Sequence, residues 1–345
     1  MNLLVVGGAG FIGTNTVAAF LRKGHRVRIF DNLSRTGTEL NVQWLKDEFA
    51  SDAFKIFRGD IRTDLEMLKD AMEGAEAVIH LAAQVAVTTS VAKPREDFEI
   101  NTLGTFNVLE TARLMDPKPI VVYASTNKVY GGMETVAVTE RNNRWEYRDL
   151  PGGVPETQLL DFHSPYGCSK GAAEQYVRDY HRIYGLRTVV MRQSCIYGAR
   201  QFGIEDQGWV AWFTIAGLFN RPITIYGDGK QIRDILHVDD LVRAYEMAIE
   251  KIDVTAGKIY NIGGGPTNTL SLLELMGWLQ SYWGKVIPHT FGPTRPGDQP
   301  VYVSNIAKAA AEFGWQPTIA TTQGLEQLAG WVQKNRDLFP LLGLV

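Results

Sequence analysis

Short apolar runs alternate with longer stretches whose apolar positions recur at helical spacing through the first 125 residues. The runs at 2–6, 27–30, 54–57, 77–81 and 120–123 predict strands. The stretches at 11–23, 64–73 and 98–115 predict amphipathic helices between them, since apolar residues three and four apart line one helical face. A further helix over 166–184 and a strand over 186–192 continue the rhythm. Strands separated by helices imply right-handed βαβ units and a parallel sheet. After residue 192 the alternation fails, and aromatics mix with turn signals such as Gly227-Asp228-Gly229 and Arg295-Pro296-Gly297-Asp298. The expected division is therefore 1–192 with 234–262 as the sheet domain, and 193–233 with 263–345 as a smaller annex. The helix at 239–250 and the strand at 258–262 return to the main sheet in this scheme. Residues 132–162 read as a long polar connection, a length that usually marks a lid or pocket wall.

Composition narrows the possibilities. The 345 residues are 45% hydrophobic and 21% charged, enough for about two domains with sizeable cores. With 35 basic against 38 acidic side chains the net charge is −3, which excludes a global basic field for nucleic acid or anionic membrane. Phosphates must then be held locally. Two cysteines, Cys168 and Cys195, rule out a disulfide framework and fit a reducing compartment. Residues 210–219 are uncharged, well short of the roughly 20 that span a bilayer. With a strand at the very start in place of a leader, a soluble, cytoplasmic protein is expected. The six histidines show no short ligand spacing, so no metal is expected.

Gly7-Gly8-Ala9-Gly10-Phe11-Ile12-Gly13 follows the first predicted strand and opens the first helix. Glycines there allow a tight turn, close approach to a pyrophosphate and helix–strand packing, while the helix N-terminus offers free amides to the anion. Asp31 lies 18 residues beyond Gly13 at the end of the second strand. It is placed to accept hydrogen bonds from an adenosine ribose and to repel a 2′-phosphate, favouring NAD over NADP. Asp60 in Gly59-Asp60-Ile61 and the small Ala82 and Ala83 fall at the ends of the third and fourth strands, where ligands of such sheets bind.

Tyr166 and Lys170 stand four residues apart on one helical face. An ammonium beside a phenol favours phenolate, as would an oxidised nicotinamide ring stacked near by, and both lower its pKa to make a base for a sugar hydroxyl. Ser125-Thr126 at the end of the fifth strand supplies a hydroxyl for the charge developing on that oxygen. Either feature alone is as well read as a surface pair or a strand end.

Taken in order, these motifs resemble the extended short-chain dehydrogenase/reductase family of nucleotide-sugar enzymes over nearly the whole chain. The series continues through Asn101 in Ile100-Asn101-Thr102-Leu103-Gly104-Thr105 and through Arg233-Asp234 before His237-Val238-Asp239-Asp240. The resemblance implies an α/β, Rossmann-type doubly wound parallel sheet with a smaller α/β substrate-binding domain, NAD as cofactor, and Thr126, Tyr166 and Lys170 as catalytic residues. It implies cofactor contacts at Gly7, Gly10, Phe11, Ile12, Gly13, Asp31, Asn32, Ser34 and Arg35. Further along, they fall at Asp60, Ile61, Leu81, Ala82, Ala83, Gln84, Asn101, Ser125, Tyr166, Lys170 and Ser194. Substrate contacts are implied at Thr88, Thr126, Asn127, His163, Cys195, Gln207, Trp209, Thr224 and Tyr226, with Arg233, Arg295 and Asp298 on the nucleotide diphosphate and its ribose.

Within the family, dehydratases carry an acid pair directly after the catalytic threonine; here Asn127 and Lys128 stand there. Carbon-4 epimerases usually carry an asparagine where this chain has Cys195. Three longer strings, 84–90, 125–131 and 161–171, resemble members that invert carbon 2 of a CDP-linked hexose. Arg200-Gln201-Phe202 and the run from Asp206 to Val210 add to that likeness. The partner expected is a CDP-hexose or related nucleotide sugar. Asn127 and His163 are candidates for steering the keto-sugar, and helices over 98–115 and 165–184 for pairing in a homodimer. Another nucleotide-sugar epimerase (carbon 4, or UDP or GDP), a dehydrogenase releasing NADH, and a catalytically silent NAD-sensing protein remain open at this point.

Overall fold

A computed structural model describes residues 1–295 and 298–344; the Pro296-Gly297 part of the expected turn lies outside the described residues. Its centre is a seven-stranded sheet. The strands are β1 (Asn2–Val6), β2 (Arg26–Asp31), β3 (Phe54–Arg58), β4 (Ala77–His80), β5 (Ile120–Thr126), β6 (Thr188–Gln193) and β7 (Lys258–Ile262). Their order is β7-β6-β5-β4-β1-β2-β3, and every pairing is parallel.

Alternation within each strand explains the double covering. Leu3 and Val5 join one core with Val27, Ile29, Ala77 and Ile79. Leu4 and Val6 point the other way, into a core with Phe30, Val78, Val121 and Tyr123. A strand buried on both faces reads as a continuous apolar run, which is why these runs are visible in sequence. The helices Phe11–Arg22 and Val238–Glu250 cover the first face. Gly104–Leu114 and Ser164–Tyr184 cover the second. Strand order reverses between β1 and β4, opening the crevice at their carboxyl ends where ligands of such sheets bind.

Beyond residue 193, short strands at Cys195–Tyr197, Ile232–His237, Thr269–Ser271 and Val301–Tyr302 make a second sheet. Ile223–Tyr226 pairs with His289–Gly292. Between and around them pack Trp209–Leu218, Leu272–Trp283 and Thr321–Lys334. The charge-free stretch near 210–219 is thus a buried helix contributing Val210, Phe213 and Ile215 to a third core. Among the described residues no helix is long and apolar enough to cross a membrane.

Several expectations need correction. Segment 98–115 is not one helix: Pro94–Phe98 is followed by a π-helical turn, Glu99–Leu103, before Gly104–Leu114. The helix Thr38–Glu48 gave no clear signal because Thr38 and Asn41 share its buried face with Val42 and Leu45. The polar connection 132–162 contains a hairpin, Val138–Arg141 with Arg144–Tyr147, turned by Asn142 and Asn143 at positive φ. It is anchored to the second sheet by Trp145 N–H to Lys230 O at 3.0 Å and Tyr147 O–H to Val301 O at 2.8 Å. Finally, the helix Ala307–Phe313 and Trp315, expected in the annex, bury Ala309, Phe313 and Trp315 in the first-face core of the main sheet. Glu312 there accepts from Lys258 and Tyr260 of β7 at 2.8 and 2.6 Å.

Candidate active site

The glycine loop is a cradle that side chains would fill. Gly7 sits at φ +85°, and a Cβ there would lie 2.5 Å from Ala82 N; one at Gly13 would lie 2.2 Å from Gly7 O. Gly10 is the N-cap of the first helix and brings no side chain over its opening turn, leaving the first amides, at Phe11 and Ile12, for an anion. Asp31 accepts from Ala9 N at 3.0 Å and Leu33 N at 2.8 Å, tying the end of β2 to the loop. Burial raises its pKa, and those two amides act against the rise. Around this loop one cavity is lined by Gly7, Gly10, Asp31, Asn32, Ser34, Arg35, Asp60, Ile61, Leu81, Ala82 and Ala83. Asp60 is held by both arms of Arg62 at 2.9 and 2.7 Å and by Asn32 at 3.0 Å. The Arg62 hydrogen bonds are the main cause of its pKa falling to about 2. It therefore offers a fixed carboxylate at the rim. These residues fit a dinucleotide: a Gly-only turn, uncapped helix amides and two carboxylates for hydroxyl or amine groups.

The expected cofactor residues Gln84 and Asn101 bond each other. Gln84 N–H donates to Asn101 Oδ1 at 2.9 Å, and Asn101 Nδ2 donates to Gln84 O at 3.0 Å. Asn101 Nδ2 also reaches Asp97 Oδ1 at 3.0 Å and Ser169 Oγ at 3.1 Å. The π turn makes this possible by bringing the buried Asp97 and Asn101 onto the catalytic helix; such turns often mark functional sites.

Thr126 ends β5, and Tyr166 and Lys170 lie in the first turns of Ser164–Tyr184. All three are buried. Ser90 Oγ accepts Tyr166 N–H at 3.1 Å and fixes the start of that helix. The Thr126 hydroxyl accepts from Lys128 N at 3.2 Å and donates to Asn127 Oδ1 at 3.3 Å. Lys170 Nζ donates to Ala124 O at 2.6 Å and lies 4.3 Å from the Tyr123 ring centroid. Burial pushes its ammonium down to about 7, opposed by Asp97 and Glu174.

The direction of the Tyr166 shift differs from expectation. Burial pushes the phenol up to about 12; Thr126 and Arg35 lower it, and Asp97 raises it further. Lys170 is not among those influences; its ammonium donates to Ala124 O and lies over the Tyr123 ring. The chain alone therefore holds the phenol protonated. A positive charge brought beside it is needed to make it a base near neutral pH.

Substrate candidates flank this centre. Arg233 is bonded to Asp298 and to Ile232 O. Arg295 pairs with Asp206 at 3.2 Å and stacks 3.8 Å from the Tyr226 ring centroid, while Tyr226 O–H donates to Glu205 at 2.9 Å. Cys195 is half-buried beside Trp209, and burial raises its thiol pKa. His163 caps the catalytic helix by position and meets Asp161 at 3.3 Å. Thr224 is half-buried in its strand, and Thr88 is exposed on the short helix Val87–Ala92. Gln207 accepts from Arg35, so annex and cofactor loop touch. Ser194 departs from expectation: its hydroxyl goes to Asp234 and its N–H to Ile262 O at 3.1 Å. Its hydroxyl hydrogen and its N–H are therefore committed, leaving a cofactor only acceptor oxygens.

Three contributors escaped the sequence reading. Asp97 stands four residues before Asn101, a spacing that was available as a signal. Glu174 is fully buried and joins Ser125 at 2.7 Å to Arg192 at 2.5 Å. Lys128 was noted only for not being an acid. Among the described residues no cluster of metal-ligating side chains occurs.

Residues 3–263 match the model of the NAD dependent epimerase/dehydratase family. The chain is 43% identical to a CDP-paratose 2-epimerase of Salmonella typhi over 96% of this chain and 99% of that one. It is 34% identical to a putative UDP-glucose 4-epimerase of Methanocaldococcus jannaschii, over 96% and 99% respectively. Among solved structures it is similar to the dTDP-glucose 4,6-dehydratase DesIV of Streptomyces venezuelae with NAD bound. That likeness has a TM-score of 0.84 at 29% identity, covering 99% of this chain and 100% of the other.

Proposed function

As the chain belongs to the NAD dependent epimerase/dehydratase family, we propose that it is an isomerase inverting carbon 2 of a CDP-linked hexose of the paratose/tyvelose type. The observation that carries this reading is the buried Thr126–Tyr166–Lys170 centre followed by Asn127 and Lys128, with no carboxylate placed to eliminate water. The 43% likeness to a CDP-paratose 2-epimerase supports the choice of carbon and nucleotide.

Bound NAD supplies a reversible hydride acceptor and a positive charge. Tyr166 takes the hydroxyl proton and returns it, and the Thr126 hydroxyl steadies the oxygen between them. Lys170, its pKa lowered by burial to about 7, holds Ala124 O at the end of β5. Asn127 and His163 border the hexose and guide its turn between the two hydride transfers. Residues 1–192 with 234–262 carry the cofactor, supported by the returning helix Ala307–Phe313, and 193–233 with the rest of 263–345 seat the nucleotide sugar. In that seat Arg233, Arg295 and Asp298 take the diphosphate and ribose. Enclosure keeps the intermediate from leaking.

Exposed Phe98, Leu103, Phe106, Tyr176 and Ile183 on the outer helices form an apolar face that suits a homodimer. Both cysteines are free, in keeping with the cytoplasm.

The test is incubation with CDP-paratose in deuterated water and NMR of the recovered sugar. The carbon-2 epimer carrying only protium at that carbon is expected. Solvent deuterium there overturns direct hydride return, and a carbon-4 epimer overturns the assignment of position.

A further inference from the structure

Lys128 has no role in the chemistry just described, yet its setting is unusual. It is the second residue of the short 3-10 turn Asn127–Tyr130, which follows Thr126. Its backbone is fixed on both sides of the catalytic centre. The N–H donates to Thr126 Oγ1 at 3.2 Å, and the carbonyl is packed so close to Gly167, the residue after Tyr166, that a Cβ there would lie 3.2 Å away. The groups of the annex whose charge acts on its side chain are Arg233, Asp298 and the Cys195 thiol.

Charge in this recess is unbalanced. Asp298 is committed to Arg233, and among the described residues the Lys128 ammonium has neither an ion pair nor a hydrogen bond. Burial and the Arg233 charge both push that ammonium below its usual range. Two cations converging on one engaged carboxylate are unfavourable by themselves and become favourable when an anion enters.

Substrate geometry says which anion. Carbon 2 of a hexose is bonded to the anomeric carbon that carries the diphosphate, whereas carbon 4 lies across the ring. For carbon 2 to face Tyr166, the sugar-side phosphate must come closer to the tyrosine than a carbon-4 reaction requires. Lys128 stands two residues after Thr126 in the chain, whereas Arg233 and Arg295 belong to the annex.

Resting on the carbon-2 reading above, we propose that Lys128 binds the sugar-side phosphate of the substrate diphosphate and thereby presents carbon 2 to Tyr166 and Thr126. It acts as a substrate-positioning residue and takes no part in proton or hydride transfer. The bridge it forms spans from the end of β5 to the annex, joining the two halves only when a diphosphate is present.

The test is isothermal titration of the NAD-loaded protein with CDP and with CMP, which lacks the second phosphate, for wild type, Lys128→Met and Lys128→Arg. Wild type is expected to prefer CDP. Lys128→Met should lose at least tenfold in CDP affinity with under twofold change for CMP, and Lys128→Arg should recover most of the loss. NAD content and melting temperature report whether each variant is folded; Lys128→Gln replaces Lys128→Met if that variant is not. An equal change for both nucleotides, or none for either, overturns the proposal. Repeating the series with UDP, dTDP and GDP separates the two readings. If wild type prefers another base, the CDP assignment falls, but the diphosphate-to-monophosphate contrast still decides the role of Lys128.

Discussion

Replacing Glu174 by glutamine isolates the interaction that joins the catalytic helix to the carboxyl ends of β5 and β6. Glu174 and Arg192 are 0% and 2% exposed. The carboxylate accepts from Arg192 Nη2 at 2.5 Å and Nε at 3.1 Å, and from Ser125 Oγ at 2.7 Å. Arg192 Nη1 also donates to Tyr130 O–H at 2.9 Å. Glu174→Gln removes the counter-charge and leaves the guanidinium buried. Breaking one side of such a pair costs about 3–5 kcal/mol. Arg192→Met leaves the carboxylate stranded and should cost a similar amount. The double variant removes both charges, so it should cost about as much as either single, well below the roughly 6–10 kcal/mol of their sum. Urea unfolding of the NAD-saturated proteins, followed by tryptophan fluorescence and analysed by linear extrapolation, measures all four corners of the cycle. Single variants costing less than about 1 kcal/mol would place the pair in the class of exposed bridges and refute the argument. A double variant equal to the sum would do the same.

Other expectations follow from the site. Tyr166→Phe should lower turnover by about 10²–10⁴ or more while the NAD content of the purified protein stays unchanged; retained activity would remove the tyrosine as base. Gly13→Ala should abolish NAD retention, read by cofactor release on heating, because its Cβ meets backbone at 2.2 Å with no side chain able to yield. Asp97→Asn should move the acid limb of the kcat–pH profile to lower pH, since the Asp97 carboxylate raises the pKa of both Tyr166 and Lys170. A limb that stays in place means the carboxylate is only a structural acceptor for Asn101.

Much of this was legible in the chain, for an identifiable reason. β1 to β7 are buried on both faces, so their apolar runs stand out, and the glycine loop must follow β1 directly. Thr126, Tyr166 and Lys170 could be named because each occupies a fixed place relative to strand or helix. What the chain hid depends on burial and on partners distant in sequence. The Tyr166 phenol was expected to fall and instead rises, since burial outweighs the groups that lower it. The Ser194 hydroxyl donates to Asp234, 40 residues on, a partner that the chain does not announce. Helix Thr38–Glu48 hides threonine and asparagine on its inner face, which erases its periodicity. Helix Ala307–Phe313 returns to a sheet whose other strands ended at Ile262.

The position of the glycine loop at the end of β1 has a dynamic consequence. β1 is flanked by β2 and β4, and its residues feed both cores. Gly7 N–H is bonded to Phe30 O at 2.7 Å, and Leu81 and Ala82 N–H to Val6 O at 2.7 and 2.9 Å. Backbone so placed opens only with the domain as a whole. The cradle should therefore be among the last segments to exchange amide hydrogen for deuterium, with protection approaching the full unfolding free energy. Whatever movement the annex makes, a cradle so protected keeps its shape.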